Sequence, residues 1–227
     1  MFEIIEALDK NKHSDLRFKT VDNLNFAANL TLIPLSYSEL VQAGKYFPIV
    51  FPSQGAAIPH ALLSFKQGQN DFLDQNGRWL APYIPAHIRR YPFILSKTDQ
   101  QGNFVLCIDR EAPHFSKEEG EPLYAENGEP ADILNNALEF LKRYQQEMQD
   151  TEKLFGILKE KGLLADKQFN IEQEGQKSTV RGFKAVDTEK LTELDNETLG
   201  DLVRRGIIGL VYAHLHSMDN ARVLAGR

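Results

Sequence analysis

Apolar residues recur every three to four positions between residues 131 and 149, which predicts an amphipathic helix there. The predicted stripe consists of Leu134, Ala137, Leu138, Leu141, Tyr144 and Met148. A second helix is expected to start at an N-cap formed by Asp150 or Thr151 and to end at Gly162. Shorter helices are expected after residues 187–188, after residues 195–196 and over residues 207–218.

The first half of the chain has a different pattern, with short apolar runs separated by turn-forming residues. Strands are predicted over residues 29–35, 46–51, 61–66, 71–74, 91–97 and 103–109. The last two flank a turn at residues 99–102 and indicate a hairpin, and a second hairpin is expected around residues 174–176. Strands this close together without intervening helices indicate an antiparallel sheet. The predicted fold class is α+β, with an antiparallel sheet in the N-terminal half packed against a mainly helical C-terminal half.

Local signals place a short helix between the first strands. Ser36 is expected to be its N-cap, with Glu39 at the matching position of a capping box, and Gly44 to end it. The segment from residue 110 to 130 is predicted to be a long loop between the two halves.

Composition narrows the range of functions. The net charge of −6 over 227 residues argues against a nucleic-acid partner, which needs a basic surface. Cys107 is the one cysteine, so an intramolecular disulfide is excluded. The acidic N-terminus does not resemble a secretory signal, and we expect no membrane span and a cytoplasmic location.

The most distinctive segment is residues 77–93, which combines the only tryptophan with prolines, tyrosines and arginines. Arginine pairs bind carboxylates or phosphates through two donors, and aromatic rings stack on planar groups. One interpretation is a rigid surface that recognises a protein or a small anionic or aromatic ligand. The candidate residues are Trp79, Tyr83, His87, Arg89, Arg90 and Tyr91. The alternative is a structural crossing between strands, in which the aromatic rings fill the core and the arginines pair with acidic residues of the chain.

One pair of residues has the spacing of a metal-binding motif. His13 and Asp15 have the spacing of half of a non-haem iron site, which His60, His114 or His214 would complete. His214 and His216 would point in nearly opposite directions on a helix and would not chelate one ion. The sequence contains neither a glycine-rich phosphate loop nor a nucleophile-elbow motif, and no cofactor is expected.

The segment also carries a family resemblance. Gly77-Arg78-Trp79 and the run from Tyr83 to Phe93 resemble the central signature of the bacterial SapC-like family. Further matching blocks lie at residues 13–17, 46–51, 106–109, 162–164 and 210–218. The resemblance implies a single unit over residues 1–227, with a sheet-rich part at 1–110 and a helix-rich part with one hairpin at 131–227.

The resemblance also implies a link to bacterial surface-layer or export systems, but it carries over no catalytic residue. We therefore expect a non-enzymatic binding or accessory protein. A metal-dependent enzyme that uses His13 and Asp15, or a small-molecule sensor with a pocket beside Trp79, remains an alternative.

Overall fold

A computed structural model describes residues 1–98, 103–173 and 176–226 of the chain. The strands are β1 (Ile5–Ala7), β2 (Arg17–Phe18), β3 (Leu32–Pro34), β4 (Ile49–Pro52), β5 (His60–Leu62), β6 (Phe93–Lys97), β7 (Phe104–Asp109), β8 (Phe115–Ser116), β9 (Glu121–Pro122), β10 (Leu164–Gln173) and β11 (Gln176–Val186). The α-helices are α1 (Leu40–Ala43), α2 (Ala86–Arg89), α3 (Asp132–Glu160), α4 (Thr188–Thr192), α5 (Asn196–Arg204), α6 (Ile207–Ser217) and α7 (Asn220–Ala225). Single 3-10 turns lie at Asn25–Ala27 and Tyr37–Glu39. The α+β class is confirmed.

The strands form antiparallel sheets. The largest has the order β10-β11-β4-β5-β3, and it joins the two halves of the chain because β11 pairs with β4. A second sheet has the order β1-β7-β6, and a small third sheet has the order β8-β2-β9. The hairpin of the C-terminal half therefore extends the sheet of the N-terminal half.

Helix α3 runs along two hydrophobic clusters. Near its C-terminal end, Phe155 and Leu158 are fully buried in the larger cluster, which also contains β4, β5 and α6 residues. Near its N-terminal end, Leu134 and Leu141 pack in the smaller cluster with Phe93 and Ile108. Because one helix serves both clusters, the residues midway along it lie where the clusters meet.

The prediction of two helices between residues 131 and 162 is wrong, because α3 is continuous through Thr151. The Thr151 hydroxyl donates to the Glu147 carbonyl at 2.6 Å and accepts from the Tyr37 N–H at 2.8 Å. It therefore satisfies an N–H group of a neighbouring turn instead of starting a new helix. The predicted end at Gly162 is confirmed, with a positive φ of 68° and a Leu163 N–H to Leu158 carbonyl bond of 2.8 Å.

Other local predictions have mixed outcomes. The capping box at Ser36 and Glu39 and the helix end at Gly44 are confirmed. The strand predicted over residues 61–66 is shorter, and residues 71–74 form only the isolated bridge from Leu73 to Trp79. The turns predicted at residues 99–102 and 174–176 involve positions outside the described residues. Within the ranges described above, the helices are all too short or too polar to cross a bilayer.

Candidate functional site

Trp79 is the first of the candidate site residues, and it packs against the larger cluster. Its ring centroid lies 5.9 Å from that of Phe72 and 6.0 Å from that of Phe47. Its indole N–H donates to the Tyr83 carbonyl at 2.8 Å. The ring is thus used to hold the segment in place against the core.

Tyr83 and α2 are anchored by the buried carboxylate of Glu39, which is 6% exposed. One carboxylate oxygen accepts from the Tyr83 hydroxyl and from the Ala86 N–H, both at 2.7 Å. The other accepts from the N–H and the hydroxyl of Ser36, both at 3.1 Å. Burial and the hydrogen bond to Glu39 raise the pKa of Tyr83, so this residue stays a neutral hydrogen-bond donor at physiological pH.

A cleft of about 330 Å³ opens above this anchor. It is formed by α2, the turn that precedes α1, and the middle of α3, and its lining residues are Ser38, Glu39, Gln42, Tyr83, Ala86, Arg89, Phe140, Arg143, Tyr144 and Glu147. The guanidinium carbons of Arg89 and Arg143 lie 5.4 Å and 6.0 Å from the centroid of the Phe140 ring. Two cations therefore approach one aromatic ring at the mouth of the cleft.

Arg89 and Arg143 share the cleft with the carboxylate of Glu147. Arg89 uses its Nε to donate to the Ile84 carbonyl at 2.9 Å. In the part of the chain that the structure describes, neither Arg89 nor Arg143 forms an ion pair. Glu147 lines the same cleft, and its carboxylate accepts from the Ser38 hydroxyl at 2.7 Å. The cleft thus offers cations, an aromatic face and hydroxyl groups to an incoming molecule.

His87 and Arg90 lie against Tyr144. His87 Nδ1 is 3.1 Å from the Tyr144 hydroxyl, and burial together with the charge of Arg90 lowers the pKa of His87 to about 3. Arg90 lies over the rings of Tyr144 and Phe2, at 5.5 Å and 5.3 Å from their centroids. Burial lowers the pKa of Arg90, and its neighbours are aromatic faces.

Tyr91 is the last candidate residue, and it is buried away from the cleft. Its hydroxyl donates to Asp109 at 3.0 Å, and its ring stacks on Phe26 at 4.0 Å. The structure thus brings Tyr83 and Arg89 into one cleft, places His87 and Arg90 behind Tyr144, and uses Trp79 and Tyr91 for packing. The packing of Trp79 and Tyr91 agrees with the interpretation of the segment as a structural crossing. The arginines do not, because in the described residues neither Arg89 nor Arg90 forms an ion pair with an acidic residue.

The residues of the iron alternative do not converge. His13 is buried and accepts from the Asp9 N–H through Nδ1 at 3.0 Å, whereas the exposed Asp15 pairs with Lys117 at 2.7 Å. His214 accepts from the Val186 N–H at 3.1 Å through Nε2, and His60 Nδ1 is 2.8 Å from the Ile58 carbonyl. Across residues 1–98, 103–173 and 176–226, no group of three or more His, Cys, Asp or Glu side chains is placed to hold a metal ion.

Several lining residues were not identified from the sequence. Phe140, Arg143 and Tyr144 stand at i, i+3 and i+4 on α3, which places them on one helix face. That spacing was available, but Tyr144 was assigned to the apolar stripe and its two neighbours were left out. Glu39 was identified only as a capping residue, because its partners at residues 83 and 86 are distant in sequence.

A family model described as SapC matches residues 8–224. No curated protein and no solved structure matches the chain.

Proposed function

The chain belongs to the SapC family, and on this premise we propose that it is a non-enzymatic binding protein. Its ligand is a small anion that also carries a planar or aromatic group. The binding site is the cleft between α2 and α3. The observation that carries the proposal is the pair Arg89 and Arg143, which flank the Phe140 ring without an ion pair in the described residues.

Each part of the cleft has a role in this proposal. The two guanidinium groups bind the carboxylate or phosphate of the ligand through parallel N–H donors. Phe140 contacts the planar group. The Ser38 oxygen, whose hydrogen is donated to Glu147, can accept a hydrogen bond from a donor group of the ligand. Glu147 lines the same wall and repels additional negative charge, so a ligand with one anionic group is favoured over a polyanion.

The site is also held rigidly. Glu39 ties Tyr83 and the start of α2 to the turn before α1, so Arg89 projects from a fixed helix. A preorganised site loses less conformational entropy when it binds a ligand. The accessory role in a surface-layer or export system, which the family resemblance implies, is part of this proposal.

Isothermal titration calorimetry with phenyl phosphate and 4-hydroxybenzoate tests the proposal. We expect Arg89→Gln and Arg143→Gln each to weaken binding by about tenfold or more, because each removes a charge-assisted hydrogen bond worth about 1.5–3 kcal/mol. Arg110→Gln is the matched control, because Arg110 is exposed and already paired with Glu111 at 3.1 Å.

Phe140→Leu distinguishes the contribution of the planar group of the ligand from that of its anionic group. It is expected to weaken binding of phenyl phosphate while leaving the weaker binding of inorganic phosphate unchanged. The proposal is wrong if neither aromatic anion binds the unaltered chain at millimolar concentration, or if both arginine variants bind as tightly as the Arg110 control.

A further inference from the structure

A second depression lies between α3 and the β6–β7 pair. It consists of two adjoining cavities of about 260 Å³ and 250 Å³ that share Leu95, Phe104 and Gln145. We refer to them together as the hairpin groove. Tyr144 lines both the hairpin groove and the cleft described above, but the two sites have otherwise different residues.

The floor of the hairpin groove is apolar. Leu95 and Phe104 lie on the strands, and Leu141 and Met148 lie on α3. Phe104 is 40% exposed, which is high for a large aromatic side chain next to other apolar groups. An exposed apolar strip of this kind is typical of a contact surface.

The charges around the hairpin groove have one sign. Arg90, Lys97 and Lys142 line it, and neither cavity has an aspartate or glutamate among its described lining residues. This contrasts with the whole chain, which has 32 acidic and 26 basic residues. As far as the described residues show, none of these cations forms an ion pair.

Strand β6 adds a row of unused backbone groups. It is the last strand of its sheet, with β7 on one side only. The Asp109 N–H donates to the Pro92 carbonyl, and the Thr98 N–H donates to the Asn103 carbonyl. These two hydrogen bonds show that the backbone groups of even-numbered residues of β6 point towards β7. By alternation, the N–H and carbonyl groups of Leu95 and Lys97 point away from β7. In agreement, the carbonyl of Leu106, which is opposite Leu95, accepts from Leu8 on the β1 side.

We propose that the hairpin groove is the docking site for an acidic, extended segment of a partner protein. The segment adds as a strand to the free edge of β6, in the manner of β-augmentation. Every second side chain of the segment faces the groove, because Leu95 and Lys97 lie on one face of β6. Among these groove-facing side chains, apolar ones cover Leu95 and Phe104, and carboxylates pair with Lys97, Lys142 and Arg90. Apart from Tyr144, this site shares no lining residue with the anion-binding cleft.

Charge decides between this occupant and a second copy of the chain. A contact between β6 of one copy and β6 of another would place the cations Arg90, Lys97 and Lys142 on both sides, with no acidic side chain among the described lining residues to compensate them. Like charges across a strand pair are destabilising. An acidic segment instead compensates every cation of the groove, so it is the occupant that we infer.

The test uses a fluorescently labelled peptide with glutamate and valine in turn at its odd positions and serine at its even positions, so that both residue types face the groove. Fluorescence anisotropy is the readout, and the full chain is the receptor. We expect saturable binding that the double variant Lys97→Glu, Lys142→Glu weakens at least tenfold. Lys153→Glu is the control, because Lys153 is an exposed cation of the same helix outside the groove. Phe104→Ser is expected to weaken binding as well, and its exposed position makes misfolding an implausible cause.

Two peptide variants test the mode of binding. A peptide with lysine in place of every glutamate is expected not to bind. N-methylation of either every odd-position or every even-position amide is expected to abolish binding in one series only, because only one set of N–H groups faces β6. The proposal is overturned if both methylated series bind like the parent peptide, if Lys153→Glu is as damaging as the double variant, or if the parent peptide does not bind at millimolar concentration. Capture of the chain by anionic vesicles in place of the peptide also overturns it.

Discussion

The carboxylate of Glu39 is the single group on which the geometry of the cleft most depends, and the substitution Glu39→Gln tests this. The carboxylate accepts hydrogen bonds from the N–H and hydroxyl of Ser36, from the Tyr83 hydroxyl and from the Ala86 N–H. A glutamine has the same shape, but one of its two terminal atoms is a donor. That donor must face either the Ser36 pair or the pair formed by Tyr83 and Ala86.

The cost can be worked out from these contacts. Either hydroxyl can rotate to accept from the amide, but a backbone N–H cannot, so one buried N–H loses its acceptor. An unsatisfied buried donor costs about 1–3 kcal/mol, and the remaining bonds lose their charge assistance. We therefore expect Glu39→Gln to lower the free energy of unfolding by about 3 kcal/mol.

Urea unfolding monitored by fluorescence measures the change in the free energy of unfolding. Trp79 is the only tryptophan, and it donates to the Tyr83 carbonyl, so its emission reports on the segment that Glu39 anchors. Glu147→Gln is the matched control, because Glu147 lines the same cleft and accepts one hydrogen bond, from Ser38. We expect the control to change the unfolding free energy by no more than about 1 kcal/mol. A loss for Glu39→Gln no larger than that of the control would refute the anchoring argument.

Three further predictions concern the rest of the fold. Thr151→Val should lower the unfolding free energy by about 1–2 kcal/mol, because the Tyr37 N–H loses its acceptor, whereas Thr151→Ser should be nearly neutral; urea titration of both variants checks this. Burial lowers the pKa of His214 to about 4, so the folded state resists its protonation. The stability that the neutral ring contributes is fully present above its unfolded pKa of about 6.5 and is lost as the pH falls towards 4; at pH 5 the loss is about 2 kcal/mol. Unfolding curves between pH 7 and pH 5 should show this fall, and its absence would contradict the assignment of a buried neutral ring. Gly206 precedes α6 with a φ of 72°, so Gly206→Ala should lower the thermal midpoint by a few degrees, corresponding to about 1 kcal/mol; an unchanged midpoint would count against this reasoning.

The parts of this structure that were predictable from the sequence depend on neighbouring residues. The capping box of Ser36 and Glu39 spans three positions, and the helix end at Gly162 depends on one glycine, so both were predicted correctly. The continuity of α3 was not, because Thr151 has the chemistry of an N-cap. The residue that decides its role, Tyr37, lies 114 positions away.

In the candidate site too, the features set by neighbouring residues were predictable from the sequence, and those set by distant residues were not. Arg89 was singled out for its place beside Arg90 and several aromatic residues, which is a local feature. Its partner cation Arg143 lies on a different helix, and only the packing of α2 against α3 brings both to Phe140. The second pair of donors to Glu39 lies 44 and 47 residues along the chain, beyond the reach of any spacing argument.

The position of Tyr144 on α3 has a thermodynamic consequence. Tyr144 lines both the anion-binding cleft and the hairpin groove, and it also contacts His87 through its hydroxyl and Arg90 through its ring. An occupant of one site that displaces this ring changes the shape of the other site as well. Linkage then requires the effect to be mutual: the factor by which a small anion alters the affinity for a docked segment equals the factor by which the segment alters the affinity for the anion. If an occupant moves Tyr144, the two sites are therefore coupled through this one side chain.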